Sequence, residues 1–269
     1  MNQFSVVLPV CSYDKSAYFT EALQSVLNQT LPPGEVIVSV DGPISDELRK
    51  SLAIFEDSLI VRIIYSGINL GPGVARHSAI LAARFDTIAI MDADDISVPE
   101  RFAWQYKFLN ETEFDVVGGL ISEFDRFPLD SKKVRRVPSS HPDVVRLMKW
   151  RQPINHVTIM FRRRAYFRSG GYRAFRFVED YDLIYRMCLA GARFANVLEV
   201  LVYVRAGSSM MTRRRGWNYL CQEVALFNRM RSDRFLTFFQ WGVNCAVRIA
   251  LRLLPIVMIR PVYWFLRSR

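Results

Sequence analysis

Short apolar runs recur along the first half of the chain, each closed by a polar or glycine-rich turn and most followed by helical spacing. Phe4-Ser5-Val6-Val7-Leu8-Pro9-Val10 predicts a strand, and Ala22, Val26 and Leu27 within 17–29 carry the spacing of a helix. Pro32-Pro33-Gly34 breaks that helix, and Val36-Ile37-Val38-Ser39-Val40 predicts a second strand ending at Asp41-Gly42-Pro43. Arg62-Ile63-Ile64-Tyr65 predicts a third strand, with a helix over 74–84 after Asn69-Leu70-Gly71-Pro72-Gly73. Thr87-Ile88-Ala89-Ile90-Met91 does not alternate, which predicts a strand buried on both faces. Such β–α alternation implies a mostly parallel sheet with helices on both sides.

Further along, Pro99 opens a helix over 101–109, Val116-Val117-Gly118-Gly119 and Thr158-Ile159-Met160-Phe161 predict strands, and 181–189 predicts a helix. Residues 124–142, rich in charge, Ser and Pro, predict an exposed loop able to cover a site. From Phe235 to Val247 there is no charge; Arg248 and Arg252 then interrupt, and Tyr263-Trp264-Phe265-Leu266 closes between basic residues. The uncharged stretch falls short of the roughly 18 residues a spanning helix needs, and suits helices lying in a membrane interface with snorkelling Arg. A helical hairpin packed on the catalytic part or on a second subunit is the alternative.

The 269 residues allow one large α/β domain over 1–205 and an appendage over 206–269. A hydrophobic content of 51% excludes a disordered chain. The net charge of +10 is concentrated at one end: 206–269 holds eleven Arg and no Lys against Glu223 and Asp233, a local +9. Anionic membrane and nucleic acid are both partners that charge suits. Cys11, Cys188, Cys221 and Cys245 form no paired motif, so neither zinc nor disulfides are indicated and a reduced, cytosolic setting is expected. Met1-Asn2-Gln3-Phe4 lacks a basic leader region, which predicts that the catalytic part stays inside the cell.

The chemistry points to Asp92-Ala93-Asp94-Asp95, three carboxylates directly behind the fourth strand. Strand carboxyl ends are where open α/β sheets bind ligands, and oxygen ligands suit Mg²⁺ or Mn²⁺, which in turn hold a diphosphate. A solvated turn leading to Pro99 is the competing reading.

The succession Ser5-Val-Val-Leu-Pro-Val10, Ala22-Leu-Gln-Ser-Val-Leu-Asn-Gln-Thr30, Asp41-Gly42, Asn69-Leu-Gly-Pro-Gly-Val-Ala-Arg76, Asp92-Ala-Asp-Asp95 and Glu179-Asp-Tyr-Asp182 resembles the family 2 glycosyltransferases. Asn155-His156, with Gly170-Gly171-Tyr172 and the Glu179 motif, is similar to enzymes extending lipid-linked O-antigen or exopolysaccharide units in bacteria. The resemblance implies the GT-A fold, a Rossmann-like α/β domain. It implies that Pro9, Asp92, Ala93 and Asp94 lie on the donor side, with Asp94 and Asp92 holding Mn²⁺ or Mg²⁺. Asp41 matches the nucleotide-base contact, although Val40 replaces the second acid many relatives carry, and a turn aspartate is the alternative. Asn69, Gly71 and Arg76 match a stretch that approaches phosphate or ribose. Asp180 matches the catalytic base, whereas Glu179, His156 and Arg213 are possible acceptor or phosphate contacts with ordinary structural alternatives: helix cap, core histidine, basic surface.

The activity so implied is metal-dependent inverting transfer from a nucleotide-sugar donor, expected to be UDP-linked, to a polyprenyl-diphosphate-linked saccharide, by a protein peripheral to the cytoplasmic membrane face. A soluble or protein acceptor is one rival. A basic nucleic-acid-binding protein is another, and it leaves the acidic strand ends unexplained.

Overall fold

The apolar runs become neighbours in one sheet of nine strands among the described residues, which in this computed structural model are 4–125, 127–130, 133–205 and 216–253. The first half runs β1 (Ser5–Cys11), α1 (Ser16–Leu27), β2 (Glu35–Asp41), α2 (Asp46–Ala53), β3 (Val61–Ser66), α3 (Pro72–Ala82) and β4 (Thr87–Ile90). Then come β5 (Ile96–Ser97), α4 (Arg101–Glu111), β6 (Val116–Phe124), β7 (Lys133–Arg135), α5 (His141–Met148), β8 (Met160–Arg162), α6 (Arg163–Arg168), α7 (Glu179–Leu189) and β9 (Phe194–Arg205). Two helices follow, α8 (Trp217–Ser232) and α9 (Phe238–Leu253).

The strand order is β3-β2-β1-β4-β8-β6-β9-β5, with β7 pairing β6. The parallel set β3-β2-β1-β4 follows the expectation. Beyond it the sheet is mixed: β8 runs antiparallel to both β4 and β6, and β5 runs antiparallel to β9. Alternation along β1 explains the two-sided core. Val6, Leu8 and Val10 join α1, α2 and α4 residues such as Leu23, Leu52 and Phe102, while Val7 faces α3 and α7 through Ile80 and Ile184.

Three expectations require correction. Residues 124–142 are not one loop: Pro128–Asp130 form a 3₁₀ turn and β7 makes an antiparallel pair with β6, because Val134 and Lys133 continue the ladder opposite Ser122 and Glu123. The predicted strand 116–119 extends to Phe124 and pairs in parallel with β9, a twelve-residue strand that the sequence reading left unassigned. Gly118 and Gly119 allow this close pairing, since a Cβ on Gly118 would sit 2.4 Å from Asn196 Oδ1 and one on Gly119 2.4 Å from Leu201 Cδ1.

The third correction concerns the C-terminal helices. Leu226, Phe227, Met230 and Leu236 belong to the same buried cluster as Leu183 and Ile184 of α7, so the catalytic core continues past residue 205. Tyr181 meets Phe227 edge-on at 6.2 Å, and Tyr185 donates to Asp233 at 2.5 Å. Asn244 of α9 donates to the Lys149 carbonyl. Arg248 and Arg252 do not snorkel outward: both turn to the buried Glu223, Arg252 as a bidentate pair at 2.7 and 2.8 Å. Arg213 and the stretch 254–269 lie outside the described residues.

Candidate active site

Every residue of β4 is buried, and Met91 behind it is inaccessible, so the chain surfaces only as it reaches the acidic turn. Asp92 Oδ1 accepts from Arg76 Nη2 at 2.7 Å, and Arg76 Nη1 reaches Glu179 Oε1 at 3.2 Å. Burial opposes charge on Arg76, but Asp92, Tyr172 and Glu179 together keep it firmly protonated. Burial likewise opposes charge on Asp92, and Arg76 and His156 overcome that to hold its carboxyl below the usual range. Asp95, 4% exposed, is pushed well up by burial and by Asp94 and Asp92. Ala93 is buried between the acids.

Beneath the turn lies Arg101, wholly buried, donating to the carbonyls of Ile90 and Val157 and to Gln105. Desolvation lowers its pKa to about 9. It fixes the end of β4 against the 3₁₀ turn His156–Thr158 that carries His156.

Asp41, at the end of β2, accepts from the backbone N–H groups of Leu70 and Gly71 at 2.7 and 2.9 Å. Asn69 Nδ2 donates to the Asp41 carbonyl. The observed role of Asp41 is therefore to hold the loop entering α3, and the amides of Leu70 and Gly71 point at Asp41. Gly42 makes this fit possible: its φ is +84°, and a Cβ there would lie 2.7 Å from Asn69 N. Pro9 lies on neighbouring β1, in register with Ser39. Arg76, expected near phosphate or ribose, bridges Asp92 and Glu179.

The helix expected from Tyr181 begins at Glu179, which places Glu179 and Asp180 in its first turn, where the helix dipole favours negative charge. Glu179 is pushed up to about 7 by burial and by Asp180, against the pull of Arg76. Asp180 Oδ1 accepts from the N–H of Tyr181. His156 keeps a partly exposed edge, yet the protein packed round its ring and the nearby Arg76 lower its pKa to about 4. It is neutral at pH 7, and its Nε2 is paired with the Tyr172 hydroxyl at 2.7 Å.

Among the described residues no three His, Cys, Asp or Glu side chains close into a cation cage. Mg²⁺ and Mn²⁺ do not need one: such ions are commonly held by one or two carboxylates plus substrate phosphates. Asp94, with Asp92 beside it, fits that donor set. Arg101, Arg205 and the Tyr172–His156 pair complete the surroundings. Arg101 and Arg205 escaped the sequence reading, because a basic residue at a helix or strand end carries no signal of the acid it meets.

Residues 5–176 match the family described as Glycosyl transferase family 2. The chain is 31% identical to the amylovoran biosynthesis glycosyltransferase AmsE of Erwinia amylovora, covering 97% of each chain. It is 28% identical to a UDP-Gal:alpha-D-GlcNAc-diphosphoundecaprenol beta-1,3-galactosyltransferase of Escherichia coli, over 94% of this chain and 92% of that one. Among solved structures, a mannosyltransferase from Pyrobaculum calidifontis in complex with GDP-Man and Mn²⁺ superposes with a TM-score of 0.66 at 19% identity, covering 93% of this chain and 70% of that one. That likeness is one of fold, the GT-A fold.

Proposed function

The chain belongs to glycosyl transferase family 2, and we propose that it moves a sugar, with inversion, from a UDP-sugar to a hydroxyl of a polyprenyl-diphosphate-linked saccharide in O-antigen or exopolysaccharide assembly. The observation that carries this reading is Arg76. It bonds both Asp92, 16 positions on at the end of β4, and Glu179, 103 positions on at the start of α7, which supports reading the donor-side acids and the candidate base as one site. Names of relatives at full-length coverage support the acceptor class, because one acts on a GlcNAc-diphosphoundecaprenol.

The acceptor O–H gives its proton to the Asp180 carboxylate while its oxygen bonds to the anomeric carbon. The bond from that carbon to the diphosphate oxygen breaks on the opposite side, and its electron pair leaves with the nucleoside diphosphate. Asp94, with Asp92 adjacent, would hold a divalent cation, which would neutralise the charge developing on the leaving group. Arg76 and Arg101 limit the repulsion among the acids before donor arrives. Asp41 shapes the base end of the site through the 69–71 loop, and neutral His156 with Tyr172 lines the acceptor side.

Peripheral membrane contact fits the outer face of α9. Phe238 and Phe239 are 70% and 73% exposed, and Val247, Ile249 and Leu253 continue the apolar face while Arg248 and Arg252 face inward. Truncation near Met211 would remove core residues with the surface, so replacing Phe238 and Phe239 by Ser is the cleaner probe, read by flotation with anionic liposomes.

The decisive experiment gives labelled UDP-Gal, UDP-GlcNAc and UDP-Glc to the protein with GlcNAc-diphosphoundecaprenol, for wild type and Asp180→Asn. Removal of a positioned base should cost about 10²–10⁴ in turnover with donor binding retained. Full turnover by Asp180→Asn would refute its role as base.

A further inference from the structure

We infer that Arg205 is a positioning residue for Asp94: it locks the main chain of the acidic turn so that the Asp94 carboxylate is aimed before cation and diphosphate arrive. This inference rests on the reading of Asp94 as the cation ligand.

Five contacts converge on Arg205, the last residue of β9. Its N–H donates to Asp95 Oδ1 at 2.9 Å, and its Nε donates to the Asp94 carbonyl at 3.2 Å. Its Nη2 reaches Glu21 Oε2 of α1 at 2.6 Å. The guanidinium lies between two rings, with its central carbon 3.9 Å from the Tyr18 centroid and 4.7 Å from that of Phe124. Only 12% of the side chain is exposed. A planar fork stacked on two aromatic faces and bonded at both ends has little freedom left.

The residues it grips come from three separate stretches: α1, the acidic turn and the end of β6, the last of which runs parallel to β9 in register through Phe124↔Arg205. Within the turn the division of labour is plain. Asp92 is held through its side chain by Arg76, Asp95 is held through its side chain by the Arg205 amide, and Asp94 is held through its carbonyl. Arg205 also places one positive charge beside carboxylates that repel one another. A lysine could keep that charge but not the Nε–H to the Asp94 carbonyl or the planar stack.

The test is calorimetric titration of Mn²⁺ with whichever of UDP, GDP and dTDP the wild-type chain binds, repeated on Arg205→Ala, Arg205→Lys and Asp94→Ala. The matching nucleoside, without metal, reports whether the base end of the site is intact. Outer groups that orient a metal ligand typically contribute about 10–100-fold in metal affinity. Both Arg205 variants should weaken the Mn²⁺-dependent diphosphate complex by that range while binding the nucleoside within twofold of wild type. Wild-type affinity for the Mn²⁺ complex in Arg205→Ala, with Asp94→Ala defective, overturns the inference and leaves the Asp94 reading standing. Parallel loss of nucleoside binding in both Arg205 variants makes the residue a general structural brace and also overturns it. Unimpaired Mn²⁺-dependent binding by Asp94→Ala means that the underlying reading has failed.

Discussion

Replacing Arg76 with Met tests the electrostatic arrangement at its centre. The substitution keeps a long, unbranched side chain in a position only 6% exposed and removes the positive charge between Asp92 and Glu179. Breaking a buried ion pair by removing one partner costs about 3–5 kcal/mol, because the other charge is left uncompensated. Here the loss depends on pH. Glu179 has a folded pKa of about 7, above its ordinary value of 4.5, so the folded protein binds the extra proton and this group's contribution to stability declines as pH rises from 4.5 through 7. Without Arg76 that pKa rises further, and the decline continues beyond pH 8. With about 1.4 kcal/mol per proton per pH unit, wild type loses about 1.4 kcal/mol from Glu179 between pH 6 and 8, and the variant loses more, up to the limit of about 2.7 for a carboxyl protonated throughout that interval. The stability difference between them should therefore be larger at pH 8 than at pH 6, by about 1 kcal/mol. Urea unfolding followed by Trp fluorescence at the two pH values measures it. A difference that is flat, or that shrinks toward pH 8, would refute the assignment of Glu179 as the acid Arg76 restrains.

Other outcomes follow from local contacts. Glu223→Ala removes the carboxylate that Arg248 and Arg252 share and should cost about 2–4 kcal/mol, at or below the range for fully buried pairs because Arg248 keeps its bond to the Trp150 carbonyl, with hydrogen exchange accelerated in α9 before α7. Gly118→Ala drives a methyl to 2.4 Å from Asn196 Oδ1 and 2.5 Å from Ile154 Cγ2, an overpacking loss of about 1–3 kcal/mol in urea unfolding. Glu35, buried, would be pushed up by desolvation, but the Arg84 N–H, the Ser5 hydroxyl and the Arg84 guanidinium more than offset this and lower its pKa. Its stabilisation is present above the ordinary carboxylate range and fades as pH falls through the lowered value. Glu35→Gln should accordingly cost about 1–3 kcal/mol at pH 7, with the deficit narrowing in acid.

The strands β1 to β4 were legible because each is a short, mainly apolar run closed by a turn signal, and α1 and α3 because each carries a periodic face, whereas the short, charged α2 carries too few apolar positions to mark itself. Legibility failed where pairing is distant. Phe194–Arg205 contains Glu199 and a register shift opposite Gly119, Leu120 and Ile121, so neither alternation nor an unbroken apolar run marks it. Charge was misjudged for a related reason. The sequence shows Arg252 but not that its partner lies 29 residues earlier and buried. The acids of the site were visible as strand ends. Of their cations only Arg76 stood out; Arg101 and Arg205 acquire meaning only when the sheet brings them to Asp92 and its neighbours.

The continuous core under α8 also limits how this chain can be recombined. Phe227 and Met230 are seated against α7, whose first turn bears Glu179 and Asp180. A chimera that exchanges the C-terminal helices with those of a relative, cut at the end of β9, would mate two surfaces shaped in different lineages directly behind the candidate acids. The transferable unit is α7 together with α8 and α9, and a graft made on that boundary carries its own backing for the candidate base.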